Sequence, residues 1–122
     1  MSPTIVLGDG DVRFVVGTPG GSTIITTVTQ VLLNRLDLGM TLPEAVAAPR
    51  ATQRNTELIT AEPAFRAEWG AQLEAYGHRF NDADDVIGAV AAIEVDADGL
   101  MTAVAEPVRR GGGTGLVVEP KH

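Results

Sequence analysis

The sequence predicts an α+β fold in which β-hairpins pack against helices, and three observations carry that prediction. Strand-like runs joined by tight polar turns stand at both ends of the chain. Between them the apolar residues change to a three- and four-residue period. The core must also rest on Val, Leu, Ile and Ala, because only 4% of residues are aromatic. Small aliphatic side chains of that kind suit helices laid closely on a sheet.

The elements follow in order. Residues 4–7 and 12–16 are β-prone and are separated by Gly8-Asp9-Gly10-Asp11, a hairpin signal. From Ser22 an amphipathic helix is expected, with Ile25, Val28, Leu32 and Leu36 as its stripe, Ile24 and Val31 beside them, and Gly39 placed to end it. Thr41-Leu42-Pro43-Glu44 reads as a capping box opening a short helix that stops before Pro49. Residues 51–55 read as a polar loop and 57–60 as a short strand. Pro63 opens a third helix with Phe65, Trp69, Leu73 and Tyr76 in a stripe and Gly77 as its cap. Arg79-Phe80 is a candidate short strand, followed by an acidic loop with Asp82, Asp84 and Asp85. Residues 89–95 and 100–105 form a second hairpin around Asp96-Ala97-Asp98-Gly99. A tail follows, with Arg109-Arg110 ahead of three glycines.

Bulk composition narrows the function. A chain of 122 residues suffices for a single domain, 1–122, with a modest core. A net charge of −7 argues against nucleic-acid binding through phosphate contacts. The absence of cysteine excludes disulfides and thiolate metal sites. No apolar run reaches the length of a membrane span, and the first residues have no secretory-signal pattern. No cofactor or metal is expected. Asp96-x-Asp98-Gly99 lacks the ligand run and late glutamate of an EF-hand, and the acidic loop at Asp82 is by default solvated. His78 and His122 are the only histidines, which leaves a zinc site or a Ser-His-Asp triad poorly supported. Arg109-Arg110 reads as an anion patch or, more commonly, a structural pair on a mobile tail.

The most informative stretch is Gly17-Thr18-Pro19-Gly20-Gly21-Ser22, between a strand and a helix. Such a turn is ordinarily a connection that needs glycine geometry. It also leaves main-chain N–H groups near a positive helix end, where they can hold an anion or a developing oxyanion. It is neither a G-x-G-x-x-G fingerprint nor a phosphate loop, and no G-x-S-x-G elbow occurs in the chain.

Taken in order, these pieces resemble the C-terminal part of the γ-glutamyltransferase small subunit. Met1-Ser2-Pro3-Thr4-Ile5-Val6 looks like the family's segment at the edge of the glutamyl pocket. Gly17-Thr18-Pro19-Gly20-Gly21-Ser22 resembles its glycine-pair motif, continued by Ile25-Thr26-Thr27-Val28. Asn34, Leu36-Asp37, Gly39-Met40, Glu44-Ala45-Val46, Ala48-Pro49-Arg50, Gly77-His78, Gly88-Ala89-Val90 and Arg109-Arg110-Gly111-Gly112 follow in the family's order.

The resemblance implies part of the N-terminal nucleophile hydrolase sandwich, two β-sheets between helical layers. It implies γ-glutamyl transfer or hydrolysis of glutathione-like donors through a threonyl acyl-enzyme. Gly20 and Gly21 would then be the oxyanion-hole glycines, and Met1 and Ser2 would stand at the edge of the substrate pocket. The family's threonine nucleophile, its serine pair for the donor's α-carboxylate and its acidic residue for the α-amino group match no residue of this chain. Glu106-Pro107-Val108-Arg109 replaces a tighter Asp-Pro-Arg arrangement. The implied partners are the large subunit and the upstream small-subunit part, with a homo-oligomer as the alternative; neither nucleic acid nor membrane is implied. Family members are often exported. The expectation for this chain alone is no turnover, and the other reading is a non-catalytic binding or assembly module.

Overall fold

Asp9 and Gly10 both take positive φ, 55° and 92°. That backbone matches the twist of paired strands, and it joins β1 (Thr4–Gly8) to β2 (Asp11–Gly17). In the computed structural model, which describes residues 3–109 and 113–119, the second hairpin is β5 (Ala91–Val95) with β6 (Met101–Ala105). Its turn is closed by the Asp96 carboxylate, which accepts the N–H groups of Asp98 and Leu100, each at 2.9 Å. The Asp96-x-Asp98-Gly99 pattern is therefore turn chemistry. The hairpins join through β2 and β5, giving an antiparallel sheet ordered β1-β2-β5-β6.

The pleat sorts the strand residues between two faces. Phe14, Val16 and Ala92 lie on the buried face, and Val16 and Ala92 meet the helices there. On the opposite face Ile5, Val15, Ile93 and Ala103 are directly paired across all four strands.

A single 3-10 turn (Gly21–Thr23) leads into α1 (Ile24–Leu36). The helix is where the apolar period places it, but its buried face is rotated from the expected stripe. Thr27, Val28 and Val31 are buried, whereas Ile25 is 78% and Leu36 53% exposed. The period alone cannot choose between adjacent apolar residues such as Ile24 and Ile25; packing on β2 and α2 selects Ile24. Gly39 has φ 71°, and beyond it Met40 N–H returns to the Asn34 carbonyl at 3.0 Å. The capping box is present at α2 (Leu42–Ala47): Thr41 Oγ1 accepts Glu44 N–H and the Glu44 carboxylate accepts Thr41 N–H. Leu42 and Val46 complete the core with Val16, Val28, Val31, Val90 and Ala92. Each such side chain contributes roughly 1.5–3 kcal/mol by leaving water.

Two expectations between α2 and α3 change. The supposed loop at 51–55 begins with β3 (Ala51–Thr52), which pairs with β4 (Thr60–Ala61), so the strand expected at 57–60 starts later. Arg79-Phe80 contributes one bridge, Phe80 to Ile59, and no strand. The polar letters of Ala51-Thr52 hid a strand because the sheet is only two residues deep and Thr52 pairs with Thr26 through their hydroxyls at 2.7 Å. In α3 (Pro63–Ala75) the expected stripe packs on one side only, with Trp69 46% and Tyr76 76% exposed. Its end is a Schellman cap: Gly77 N–H bonds the Glu74 carbonyl and His78 N–H the Leu73 carbonyl.

Candidate active site

Four charged side chains that the linear sequence scatters meet in the interior. Arg50 follows α2, Glu62 precedes α3, and Glu106 and Arg109 follow β6; all are at most 8% exposed. Arg109 holds Glu62 through two bonds of 2.6 Å and Glu106 through one of 3.0 Å. Arg50 reaches Glu106 at 3.1 Å. The guanidinium groups also take the carbonyls that α2 leaves unpaired at its end: Val46 from both arginines and Ala48 from Arg109. The carboxylates are filled by main-chain donors as well, Arg50 and Ile87 on Glu62, Val90 on Glu106. Two cations and two anions cancel. Buried charge is tolerable on those terms, since each ion has both a counter-charge and hydrogen bonds.

The protonation states follow. Burial would push the Glu62 carboxyl up, but the Arg109 guanidinium and the Ile87 and Arg50 amides outweigh it and hold the group below the usual range. Burial acts the same way on Glu106, where Val90 N–H and the two arginines prevail. The arginines diverge. Burial depresses Arg50 and Arg109 repels it, whereas Arg109, with both carboxylates against it, is raised despite its burial. Arg50 Nε has no acceptor among the described residues. Arg109 is thus structural, as the commoner of the two expectations had it, but it is buried against Glu62 and Glu106 and belongs neither to an anion patch nor to a mobile tail. The longer acid in Glu106-Pro107-Val108-Arg109 spans to Arg50 and to Val90 N–H together. Arg110 and His122 lie outside the described residues.

The network grips residues 87–90 at both ends. Arg50 donates to the Ile87 carbonyl at 2.8 Å, Glu62 accepts Ile87 N–H at 3.1 Å, and Glu106 accepts Val90 N–H at 3.0 Å. Midway, Ala89 N–H donates to Thr18 Oγ1 at 2.9 Å. Thr18 is fully buried, and its hydroxyl donates in turn to the Pro19 carbonyl at 2.7 Å. Gly88, at φ 70°, must be glycine here, because a Cβ would stand 2.7 Å from Thr18 Oγ1 and 3.0 Å from Thr27 Cγ2.

Above this base Gly20 and Gly21 are exposed, at φ 144° and 57°. A side chain on Gly20 would come within 2.5 Å of Thr23 Oγ1. Among the described residues neither glycine N–H has a hydrogen-bond acceptor, so both donors are unspent. Arg54 donates to Ser22 Oγ at 3.2 Å and adds a cation beside the turn. Of the residues singled out in the sequence, Met1 and Ser2 lie outside the described residues. Asp82, Asp84 and Asp85 are exposed, and no cluster of acidic or histidine side chains among the described residues could hold a metal. Sequence reasoning gave no role to Arg50, Glu62, Glu106, Thr18 or Arg54. One faint signal existed: a glutamate, unlike Ser, Thr or Asp, is an unusual residue just before a helix-opening proline.

The antiparallel sheet backed by helices is the fold of N-terminal nucleophile hydrolases, as solved γ-glutamyltranspeptidases show. A γ-glutamyltranspeptidase from Pseudomonas nitroreducens, solved as a complex with L-DON, superposes with a TM-score of 0.84 at 36% identity, over 98% of this chain and 62% of that one. A cephalosporin acylase from Bacillus halodurans, 24% identical, shares the fold at a TM-score of 0.86, over 98% of this chain and 22% of that one. The family model described as gamma-glutamyltranspeptidase matches residues 1–116. The glutathione hydrolase proenzyme of Pseudomonas aeruginosa is 42% identical over 98% of this chain and 22% of its own length. That of Escherichia coli is 38% identical, over 88% of this chain and 18% of its own length. The chain belongs to the γ-glutamyltranspeptidase family, and it spans about a fifth of the length of those relatives.

Proposed function

We propose that this chain supplies the oxyanion hole of a γ-glutamyltransferase, with Gly20 and Gly21 donating their main-chain N–H groups to the γ-carbonyl oxygen of a glutathione-like donor. The observation that supports it is the pair of unspent glycine amides beside the fully buried, hydrogen-bonded Thr18. In the reaction a threonine hydroxyl attacks the γ-carbonyl carbon and the tetrahedral oxyanion forms against those donors. The C–N bond then breaks, the amine leaves with a proton, and an amino acid, a peptide or water takes the glutamyl group from the threonyl ester. Residues 1–122 act as one domain, the C-terminal part of the small subunit, with Met1 and Ser2 at the pocket edge. The attacking threonine comes from the remainder of the enzyme.

The test is amine release from a γ-glutamyl anilide. The isolated chain is expected to give none, and the enzyme assembled with the remaining small-subunit part and the large subunit is expected to give turnover. Turnover by the pure chain would falsify this reading. A second reading, a non-catalytic assembly module, is favoured by the apolar row Ile5, Val15, Ile93 and Ala103 on the sheet face away from the helices.

A further inference from the structure

We infer that Thr18 is a positioning residue that aims the Gly20 N–H, and that it does so through the carbonyl of the Pro19–Gly20 peptide. The inference rests on the oxyanion reading above. A peptide group is planar, with C=O and N–H pointing in opposite directions. Whatever fixes the Pro19 oxygen therefore fixes the direction of the Gly20 N–H. Thr18 Oγ1 donates to that oxygen at 2.7 Å. The hydroxyl cannot easily turn away, because the same oxygen accepts Ala89 N–H at 2.9 Å and the side chain is fully buried.

The result is a chain of donors: Ala89 N–H to Thr18 hydroxyl, Thr18 hydroxyl to Pro19 carbonyl, and across the peptide bond to the Gly20 N–H. Each bond polarises the next, so the last donor is strengthened as well as aimed. Its far end is fixed, since residues 87 and 90 are tied by main-chain N–H groups to Glu62 and Glu106. Exposed glycine at φ 144° has little intrinsic rigidity, and preorganised donors are what oxyanion stabilisation requires. The buried hydroxyl provides that order where the glycine backbone does not.

Thr18→Val keeps the shape and deletes the hydroxyl; Thr18→Ser keeps the hydroxyl. In the 15N-labelled chain the Gly20 amide resonance is expected to move in Thr18→Val and to stay in Thr18→Ser. In the assembled γ-glutamyltransferase, Thr18→Val is expected to lower kcat about 10-fold with KM for the anilide unchanged, and Thr18→Ser to restore it. An unmoved Gly20 resonance in a folded Thr18→Val chain overturns the inference and leaves the oxyanion reading intact. A moved resonance with unchanged kcat overturns the oxyanion reading and the positioning role with it. Should Thr18→Val not fold, the unaltered chain decides the matter: a slowly exchanging Thr18 hydroxyl proton coupled to the Pro19 carbonyl carbon supports the inference, and its absence overturns it.

Discussion

At the scale of single residues, the interior is organised by charge as much as by hydrophobicity. Glu62 has the most to lose, because it carries both short bonds to Arg109 and the N–H groups of Arg50 and Ile87. Glu62→Gln leaves a buried guanidinium with half its counter-charge. It should cost about 3–5 kcal/mol of unfolding free energy, read from urea denaturation at neutral pH. The pH dependence follows from the depressed carboxyls of Glu62 and Glu106. A carboxyl that is more acidic folded than unfolded stabilises fully above its unfolded value, near pH 4.3 for glutamate. That contribution drains as the pH falls through the lower folded value. Stability should thus fall steeply below about pH 4 in the unaltered chain, and less steeply in Glu62→Gln. Equal acid limbs in the two proteins would refute the assignment.

At the scale of elements, short-range chemistry was legible and long-range closure was not. The capping box at Thr41 and Glu44 was readable because all its partners lie within four residues. It yields a direct test: Thr41→Ala should lower stability by about 1 kcal/mol, seen as a lower thermal midpoint. An unchanged midpoint would mean that packing of Leu42 and Val46 alone holds α2. Both hairpins and the Gly77 cap were equally local. The phase of α1 was not, since Ile24 and Ile25 are equivalent until β2 and α2 choose between them. The two-residue pair β3–β4 is too short to show a period. The site divides the same way. Gly20 and Gly21 stood out from a local turn, whereas the bonds that tie Arg50 to Glu106 and Arg109 to Glu62 cross 56 and 47 residues. A charge destined for burial looks, in sequence, like one destined for water.

At the scale of the whole molecule, the sheet is finished on one face and open on the other. Helices α1 and α2 cover Val16 and Ala92, while Ile5 and Ile93 on the far side remain 61% and 40% exposed. The row Ile5, Val15, Ile93 and Ala103 runs across four paired strands, so its residues form one surface and not scattered exposures. Residues 114–116 stand beside Ala103 and Ala105, with Gly115 so near the Ala103 carbonyl that a Cβ would clash, yet Ile5 and Leu7 stay 61% exposed. The relatives' chains are about five times as long as the segment that matches, and sandwich folds bury such faces against a second sheet. Without that cover, association is the expected outcome: the isolated chain should scatter light as a dimer or larger species. Ile5→Lys with Ile93→Lys should shift it toward monomer while the circular dichroism spectrum is retained, because charges are costly only where the face is buried. A well-behaved monomer of the unaltered chain would show that the open face is stable in water, and would count against both the half-sandwich reading and the assembly module.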